Sequence, residues 1–407
     1  MPDLKTLGAA AACLYALLLL FKYAACQIVL CRMAAQSSST DDCEWSSHCQ
    51  QGITILQPIL SGDPMLEKTL KANTANCSPH TIFYWLVDDN DSEARRIVQE
   101  LENDVAAPAT GLRSQLIICP VAAGDHNPKI AKLSFALPLV ETEIVAVLDD
   151  DTVVPSQTIE QVAHVLTQAD LATALPFYDA QPGLASAMVA SFVNNNSALT
   201  YLPLLVWTNP VSINGMFYAS RTATLRSLGA WDRISRQLCD DYALAKLFRS
   251  EGMTICQMTA PVRVTTSVRS LSHYFALMHR WFVFANVLVK DQPWAMQLLL
   301  FALLGLMPLL FWLALLGSFG GGLATLLFLM LLLVRYWAAT DLIARIHRSF
   351  KLSGNLPHLS WWLSPLSELL QPIHWICSLL WPNIRWRRHL IKVTSDGRFR
   401  FLGAVDD

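Results

Sequence analysis

The sequence predicts an α/β domain, built on a doubly wound, mixed and mostly parallel sheet, that is joined to membrane helices. Three observations support this fold class. Hydrophobic residues make up 53% of the chain and charged residues only 15%, which is more apolar than an ordinary soluble protein. The apolar excess lies in residues 7–31 and from about residue 295 onward. Between these regions short apolar runs alternate with helix-like stretches, as in a buried parallel sheet.

Four short apolar runs are predicted as strands of a domain that covers residues 50–268. Helices are expected between them, over residues 64–73 and 92–103. Ligands of such sheets bind beyond the carboxyl ends of the strands. The predicted strands are residues 53–56, 81–87 (TIFYWLV), 114–119 and 144–148 (IVAVL), and the second and fourth run directly into Asp88-Asp89-Asn90-Asp91 and Asp149-Asp150-Asp151.

Residues 7–31 are apolar apart from Lys22 and Gln27 and are long enough to cross a bilayer. We predict an N-terminal transmembrane anchor over residues 1–33. The alternative is a signal peptide cleaved near Ala34-Ala35-Gln36.

A transmembrane helical hairpin is predicted within residues 294–340, from the apolar stretches 294–316 and 323–339. The connector 317–322 carries no Lys or Arg, whereas basic residues flank the other side of the hairpin. The positive-inside rule therefore predicts a multi-pass protein whose large domain faces the cytosol. The flanking basic residues are Lys290, Arg335, Arg345, Arg348 and Lys351, with His347 among them.

Two further segments are predicted to lie at the membrane interface. Residues 269–293 form an apolar helix-like stretch. Within residues 341–407, the Trp-rich stretch 361–381 is interrupted by Pro365, Glu368 and Pro372 and is followed by a basic tail. An interfacial or re-entrant helix fits this pattern better than the alternative, a further crossing.

Charge and cysteine usage exclude two classes of function. The net charge of -2 gives no indication of nucleic-acid binding. The ten cysteines show no CxxC pair, and Cys43, His48 and Cys49 have no second ligand pair, so no zinc site is expected. Free thiols in a reducing compartment are the simpler interpretation.

The strongest chemical signal is Asp149-Asp150-Asp151 at the end of an apolar strand. Adjacent carboxylates repel one another unless a cation or hydrogen-bond donors compensate. In extended backbone Asp149 and Asp151 share a face and Asp150 points away. This arrangement suits Mg²⁺ or Mn²⁺ bound together with phosphate oxygens, where the ion would stabilise a departing nucleoside diphosphate. A solvated turn with an Asp cap is the alternative.

Four other positions allow a functional and a structural interpretation. Asp89 could bind a nucleotide base or ribose, or its Asp-Asn-Asp-Ser run could cap the next helix. Asp241, with Asp240, opens a predicted helix, either as a cap or as a general base; in a single displacement that base would give inversion at a sugar's anomeric carbon. Arg280 could hold a phosphate and Trp281 could stack on a sugar, or both could belong to an interfacial helix.

In this order the motifs resemble those of lipid-directed GT-A glycosyltransferases, and more narrowly of the ceramide glucosyltransferases and their bacterial hopanoid-directed relatives. The resemblance covers roughly residues 53–390. Its supporting motifs are Leu56-Gln57-Pro58, Asp63-Pro64, Asn127-Pro128-Lys129-Ile130, Asn214-Gly215-Met216 and Trp381-Pro382-Asn383-Ile384-Arg385-Trp386-Arg387.

This resemblance implies a GT-A fold, a UDP-sugar donor and a membrane lipid acceptor such as a ceramide, hopanoid or diacylglycerol, with glucose as the default sugar. It implies Mn²⁺ or Mg²⁺ centred on Asp151, with Asp149 assisting, and it gives Asp241 the role of base. The donor would be bound by Pro58, Asp89, Asp149, Arg280 and Trp281.

Two departures leave alternatives open. Leu277 stands where the family has Gln or Arg before Arg-Trp, and Asn194-Asn195-Asn196 lies where ceramide-directed members tend to have a His. A polysaccharide synthase of the same fold is one alternative, although it would need more membrane crossings and that Gln. A catalytically idle membrane protein that senses a nucleotide is the other.

Overall fold

A computed structural model describes residues 3–38, 52–75, 80–105, 113–350, 357, 359–386, 389–394 and 397–404. Cys43, His48 and Cys49, for which no zinc site was expected, lie outside the described residues.

The central domain is built on an eight-stranded mixed sheet with the order β3-β2-β1-β4-β7-β6-β8-β5. Four strand pairs are parallel and three, all involving β7 or β5, are antiparallel. The predicted mixed, mostly parallel sheet is confirmed. The strands are β1 Ile53–Ile59, β2 Thr81–Asp88, β3 Arg113–Cys119, β4 Ile144–Leu148, β5 Thr152–Val153, β6 Leu171–Tyr178, β7 Phe217–Arg221 and β8 Ile255–Val264.

Helices cover both faces of this sheet, and the two faces form separate apolar cores. Neighbouring residues of one strand contribute to opposite cores, because side chains alternate along a strand: Ile55 and Leu56 of β1 belong to different clusters. Helix α1, Leu4–Ser38, precedes the domain. The helices of the domain are α2 Leu66–Ala75, α3 Ser92–Val105, α4 Pro128–Ala136, α5 Ser156–Val165, α6 Leu184–Tyr201, α7 Thr222–Leu228, α8 Ala230–Ile234 and α9 Asp240–Ser250.

Among the described residues, three helices are long and apolar enough to cross a membrane: Leu4–Ala35 within α1, Trp294–Ser318 and Leu323–Ser349. The predicted N-terminal helix and C-terminal pair are thus present, and α1 runs through Ala34-Ala35-Gln36 without a break. The remaining helices are α10 Leu271–Lys290, α11 Trp294–Leu300, a π-helical turn Phe301–Gly305, α12 Leu306–Ser318, α13 Leu323–Ser349 and α14 Leu363–Leu380.

Close contacts join these helices into one bundle. A Cβ placed on Gly8 of α1 would lie 2.4 Å from Cα of Gly317 in α12, so the two backbones touch. Further along α1, the Lys22 ammonium donates to the carbonyl of Leu303 in the π-helical turn at 2.8 Å.

A buried ion pair connects the bundle to the sheet domain. Arg335 of α13 donates to Glu368 of α14 at 3.0 and 2.9 Å, and each residue is 3% exposed. Arg335 also donates to the Asn195 carbonyl and to Asn196 Oδ1 in α6, at 3.0 and 2.8 Å. Our sequence interpretation used Arg335 as a flanking charge, and that was wrong: it lies inside a long helix and is neutralised there.

A three-stranded antiparallel sheet follows α14 and packs beside the domain. Its hairpin reaches the segment before α9, because Leu238 N–H donates to the Gly397 carbonyl at 3.1 Å. On the other side His279 Nε2 of α10 lies 3.1 Å from the Asn383 carbonyl. The strands are β9 Asn383–Trp386, β10 His389–Val393 and β11 Phe399–Ala404.

Candidate active site

The candidate site lies at the carboxyl edge of β1 and β4, where three aspartates follow the buried strand IVAVL. Asp149 N–H donates to the Met216 carbonyl at 3.0 Å, which ties the end of β4 to the segment before β7. Asp150 accepts a hydrogen bond from Leu60 N–H at 2.8 Å, just beyond β1. The sequence therefore places the aspartates where the carboxyl ends of parallel strands leave an open edge.

Lys129 connects the parts of this edge. Its ammonium lies 2.6 Å from Asp149 Oδ1 and 3.4 Å from Asp240 Oδ2, and it donates to the Gly215 carbonyl at 3.0 Å. Burial alone would lower the pKa of Lys129, but the charges of Asp149 and Asp240 outweigh it and raise the pKa well above its usual range. Sequence reasoning quoted Lys129 within a motif but gave it no role, since its partners are distant in the chain.

Asp151 has a different set of partners from its neighbours. Its carboxylate accepts hydrogen bonds from the Thr266 hydroxyl and, at 3.1 Å, from the Thr152 hydroxyl. Thr265 N–H donates to the Asp151 carbonyl at 2.8 Å, so the segment after β8 holds this residue in place.

The aspartate cluster carries more negative charge than the protein compensates. Burial raises the pKa of Asp149 to about 6, with Lys129 opposing the shift and the charge of Asp151 adding to it. Burial and the charge of Asp151 likewise raise the pKa of Asp150 to about 7. Carboxylate oxygens with excess negative charge are the ligands that a hard divalent cation prefers. Among the described residues, no group of three or more histidine, cysteine or acidic side chains is arranged to hold a metal ion, so Mn²⁺ or Mg²⁺ at Asp149 and Asp151 stays a prediction.

Asp241 lies in the first turn of α9. Its Oδ1 accepts from Tyr242 N–H at 2.6 Å and from the Cys239 thiol at 3.0 Å. A Cβ on Gly215 would lie 3.3 Å from Asp241 Cβ, so this glycine allows close approach of the backbone. Burial and the charge of Asp240 raise the pKa of Asp241. Cys239, the N-cap residue, makes no side-chain cap bond, but Asp241 accepts from an N–H of the first turn, so both the structural interpretation and that of a general base stay open.

At the end of β2, the two acids of Asp89-Asn90-Asp91 differ. Asp91 caps α3, because its carboxylate accepts from Ala94 N–H at 3.0 Å and from Ser61 N–H at 2.9 Å. Asp89 is exposed. In the part of the chain that the structure describes, no hydrogen bond or ion pair joins its side chain to Asp149, Asp151 or Asp241. Pro58 lies nearby in β1, where it pairs with Leu86 of β2.

Arg280 and Trp281 approach the site through Tyr178, the last residue of β6. The Trp281 ring meets the Tyr178 ring edge-on, with centroids 6.1 Å apart and planes at 76°. Burial and the charge of Asp151 raise the pKa of Tyr178 well above its usual range, and the charge of Arg280 opposes that shift. Tyr178 was missed from the sequence, although an aromatic residue that ends a buried strand beside the acids could have suggested it.

The departure at Leu277 has a structural counterpart. Leu277 is 8% exposed and belongs to an apolar cluster with Tyr178, Tyr274, Met278 and Leu363. A polar side chain would have to replace that packing. The cluster supports the ring of Tyr178 from the side of α10 and α14.

The chain is similar to several known glycosyltransferases. A ceramide glucosyltransferase 1 from Caenorhabditis elegans is 19% identical over 352 residues, covering 86% of this chain and 73% of the relative. Among solved structures, a mannosyltransferase from Pyrobaculum calidifontis in complex with GDP-Man and Mn²⁺ is 16% identical over 91% of this chain and 99% of its own, with a TM-score of 0.45.

Glucosyl-3-phosphoglycerate synthase from Mycobacterium tuberculosis, in complex with Mn²⁺, UDP and phosphoglyceric acid, is 17% identical over 57% of this chain and 77% of its own, with a TM-score of 0.34. The sequence profile of Glycosyl transferase family 21 matches residues 6–399. That match and the curated relative confirm the resemblance to ceramide glucosyltransferases, and the chain belongs to glycosyl transferase family 21.

Proposed function

We propose that this glycosyltransferase transfers a sugar, glucose by default, from a UDP-sugar to the hydroxyl of a membrane lipid, with inversion at the anomeric carbon. The observation that carries the proposal is the Lys129 contact, which joins Asp149 to Asp240 and so brings the D-x-D strand end beside Asp241. A donor-binding edge and a general base thereby share one site.

On the donor side, Asp151 and Asp149 would hold Mn²⁺ or Mg²⁺, which when bound supplies positive charge for the diphosphate. Arg280 would bind a phosphate oxygen and Trp281 would pack on the sugar. Pro58 and Asp89 would line the nucleotide end of the site. The contact of Trp281 with Tyr178 supports a position of this pair near Asp151.

On the acceptor side, Asp241 would take the proton of the lipid hydroxyl. The hydroxyl oxygen then forms a bond to the anomeric carbon as the bond between that carbon and the UDP oxygen breaks. Attack opposite the leaving group inverts the configuration. Tyr242 N–H and the Cys239 thiol both donate to Asp241 Oδ1, which leaves Oδ2 to accept the proton.

We further propose that residues 50–268 form the catalytic domain and that it faces the cytosol, by the distribution of basic residues around the hairpin. The protein would be multi-pass, with an anchor in residues 1–33 and a hairpin in residues 294–340. Residues 269–293 and the apolar part of residues 341–407 would lie at the interface. Trp361, Trp375 and Trp381, exposed by 73%, 40% and 61%, support that placement.

The test is to reconstitute the purified protein in nanodiscs with extracted neutral lipids and Mn²⁺, and to supply a panel of UDP-sugars. Mass spectrometry should find one lipid that carries a single added sugar. A polymeric product would overturn this proposal in favour of a polysaccharide synthase. If the protein binds UDP but neither transfers the sugar nor hydrolyses the UDP-sugar, the alternative of a catalytically idle, nucleotide-sensing protein is favoured.

A further inference from the structure

The loop between α6 and β7 connects the membrane helices to the proposed base. We call residues 201–215 the acceptor loop. It begins at Tyr201 with the sequence Tyr-Leu-Pro-Leu-Leu-Val-Trp, which carries no charge, and it ends at Gly215. Residues Pro203–Val206 form a short 3₁₀ turn.

The first half of this loop packs into the membrane bundle. Leu202 is fully buried in a cluster that also contains Tyr15 of α1, Leu310 of α12 and Phe328 of α13. Leu205 and Val206 pack against the same cluster. At the tip, the Trp207 ring stacks on the Phe21 ring of α1, with centroids 5.4 Å apart and planes at 11°.

The position of Phe21 along α1 sets the depth of this tip. Gly8, near the start of α1, meets Gly317 near the end of α12, whereas the Cys26 thiol, later in α1, donates to a carbonyl of the domain helix α6 at 3.4 Å. Phe21 follows Gly8 by thirteen residues, about 20 Å of helix, in a hydrocarbon layer of about 30 Å. Trp207 is 51% exposed and Phe21 is 49% exposed. If α1 crosses the bilayer, this aromatic pair faces lipid on the side that carries the domain.

The second end of the loop contacts Asp241. A Cβ on Gly215 would lie 3.3 Å from Asp241 Cβ and 3.4 Å from its Oδ2, so the backbone passes directly beside this carboxylate. At the first end, Tyr201 is partly buried and packs against the cluster that contains Leu202. One loop therefore joins the exposed aromatic pair at its tip to the proposed base at its end.

We propose that the acceptor loop is the acceptor-binding element, which conducts an uncharged, hydroxyl-bearing lipid from the bilayer to Asp241. Trp207 and Phe21 contact the hydrocarbon part of the lipid, and Gly215, which has no side chain, leaves room for the lipid hydroxyl beside Asp241. Because residues 201–207 carry no charge, the loop suits a neutral lipid alcohol better than a phospholipid. This inference rests on the proposed function and specifies its acceptor side.

The experiment compares two acceptors with the same head group, a long-chain lipid in nanodiscs and a short-chain, water-soluble analogue. Trp207→Ala and Phe21→Ala should each raise KM for the long-chain acceptor about tenfold and leave KM for the UDP-sugar and kcat/KM for the soluble analogue within about twofold. The matched control is Trp294→Ala, a 74% exposed tryptophan at the start of α11, which should change neither value. Gly215→Ala should lower kcat with both acceptors about tenfold, because the added Cβ would lie 3.4 Å from Asp241 Oδ2.

The outcomes distinguish failure of the acceptor-loop proposal from failure of the proposed function. Suppose that the unsubstituted protein transfers sugar to a lipid. If Trp207→Ala then has the same KM for the long-chain acceptor as Trp294→Ala, or impairs transfer to both acceptors equally, the role of the acceptor loop is overturned and the proposed function stands. If Gly215→Ala is as active as the unsubstituted protein, the placement of the lipid hydroxyl beside Gly215 and Asp241 is overturned. If the unsubstituted protein transfers sugar to neither acceptor, both proposals fail.

Discussion

Two of the places where the described chain buries charge are built differently. Between the membrane helices, Arg335 and Glu368 form a one-to-one pair whose remaining donors reach Asn195 and Asn196. At the edge of the sheet, Asp149, Asp150 and Asp151 follow β4 and two more aspartates open α9, while Lys129 pairs with two of the five.

We interpret the first region as an ion pair that stabilises the fold, and we predict that the second region binds a cation. Breaking a neutral, hydrogen-bonded pair leaves one buried ion uncompensated and destabilises the fold. At the sheet edge, burial first and then the charge of Asp151 raise the pKa values of Asp149 and Asp150, so ionising these acids already costs free energy. Removing a carboxylate there should damage activity and leave stability intact.

The largest expected effect is on catalysis. Asp241→Asn keeps the shape of the side chain but cannot accept the proton, so kcat should fall about 10³-fold. Binding of UDP should stay within about twofold, and the melting temperature should not decrease. Asp232→Asn, an exposed acid nearby, is the control. A variant that unfolds, or one that keeps full turnover, would contradict the distinction between the two regions.

The next largest effect is expected at the ion pair between Arg335 and Glu368. Glu368→Ala should lower the free energy of unfolding by about 3–5 kcal/mol because Arg335 is left buried and uncompensated. Replacing both charges, Arg335→Met with Glu368→Leu, should recover most of that loss. Thermal unfolding in detergent measures both. A double variant no more stable than Glu368→Ala would show that the asparagine contacts, and not the charge pair, determine stability.

A third prediction concerns the metal without reference to turnover. Mn²⁺ at about 100 times its Kd should stabilise the folded protein by about 2.7 kcal/mol, seen as a higher melting temperature. Asp151→Ala should lose most of this increase, whereas Glu67→Gln, on an exposed turn of α2, should keep it. Equal shifts in both variants would place the cation elsewhere.

The pH dependence of kcat tests whether Asp241 is the general base. Burial and Asp240 raise the pKa of Asp241 above the ordinary aspartate value, and the base must be ionised to act. Therefore kcat should fall as the pH drops through that raised pKa. Asp240→Asn removes a like charge and lowers the pKa of Asp241, so the acidic limb should move to lower pH. If the acidic limb of the pH profile does not move in Asp240→Asn, that limb reports the titration of a group other than Asp241.

The smallest effect tests a neutral contact beside the site. Gly397 has φ +80°, and a Cβ there would lie 2.7 Å from Gln237 Oε1, just before α9. Gly397→Ala should lower kcat severalfold, and adding Gln237→Ala should restore part of it. Gly252 has a similar φ of +71°, and a Cβ there would have no neighbouring atom within 4 Å. Gly252→Ala should therefore lower the free energy of unfolding only by the backbone strain of about 1 kcal/mol. Equal losses in both glycine variants would rule out the steric contact.

The fold could be predicted from the sequence wherever one local pattern determined the structure. The apolar runs of β1, β2 and β4 and the three long apolar helices were found in this way. Strand boundaries moved by a few residues, since fraying and register are not encoded locally. The apolar strand β6, with every residue buried, was missed although its composition was sufficient to predict it.

Pairings between distant segments could not be predicted. Lys129 lies 20 residues from Asp149 and 111 from Asp240, and Arg335 meets Glu368 only because α13 and α14 pack together. Capping of α3 by Asp91 was an open alternative, and only the geometry distinguished it from the role proposed for Asp89. The assigned catalytic and donor-binding roles remain predictions that the variants above address.

The bond from Lys22 to the Leu303 carbonyl has a consequence for biosynthesis. Widening the helix to a π turn frees carbonyl groups, and one of them solvates an ammonium in the middle of α1. The ribosome makes α1 long before residue 303, so if α1 crosses the bilayer, the newly inserted helix carries Lys22 into lipid at a cost of about 3 kcal/mol. Insertion of this helix should then remain reversible until the later hairpin supplies the carbonyl that accepts the hydrogen bond from Lys22.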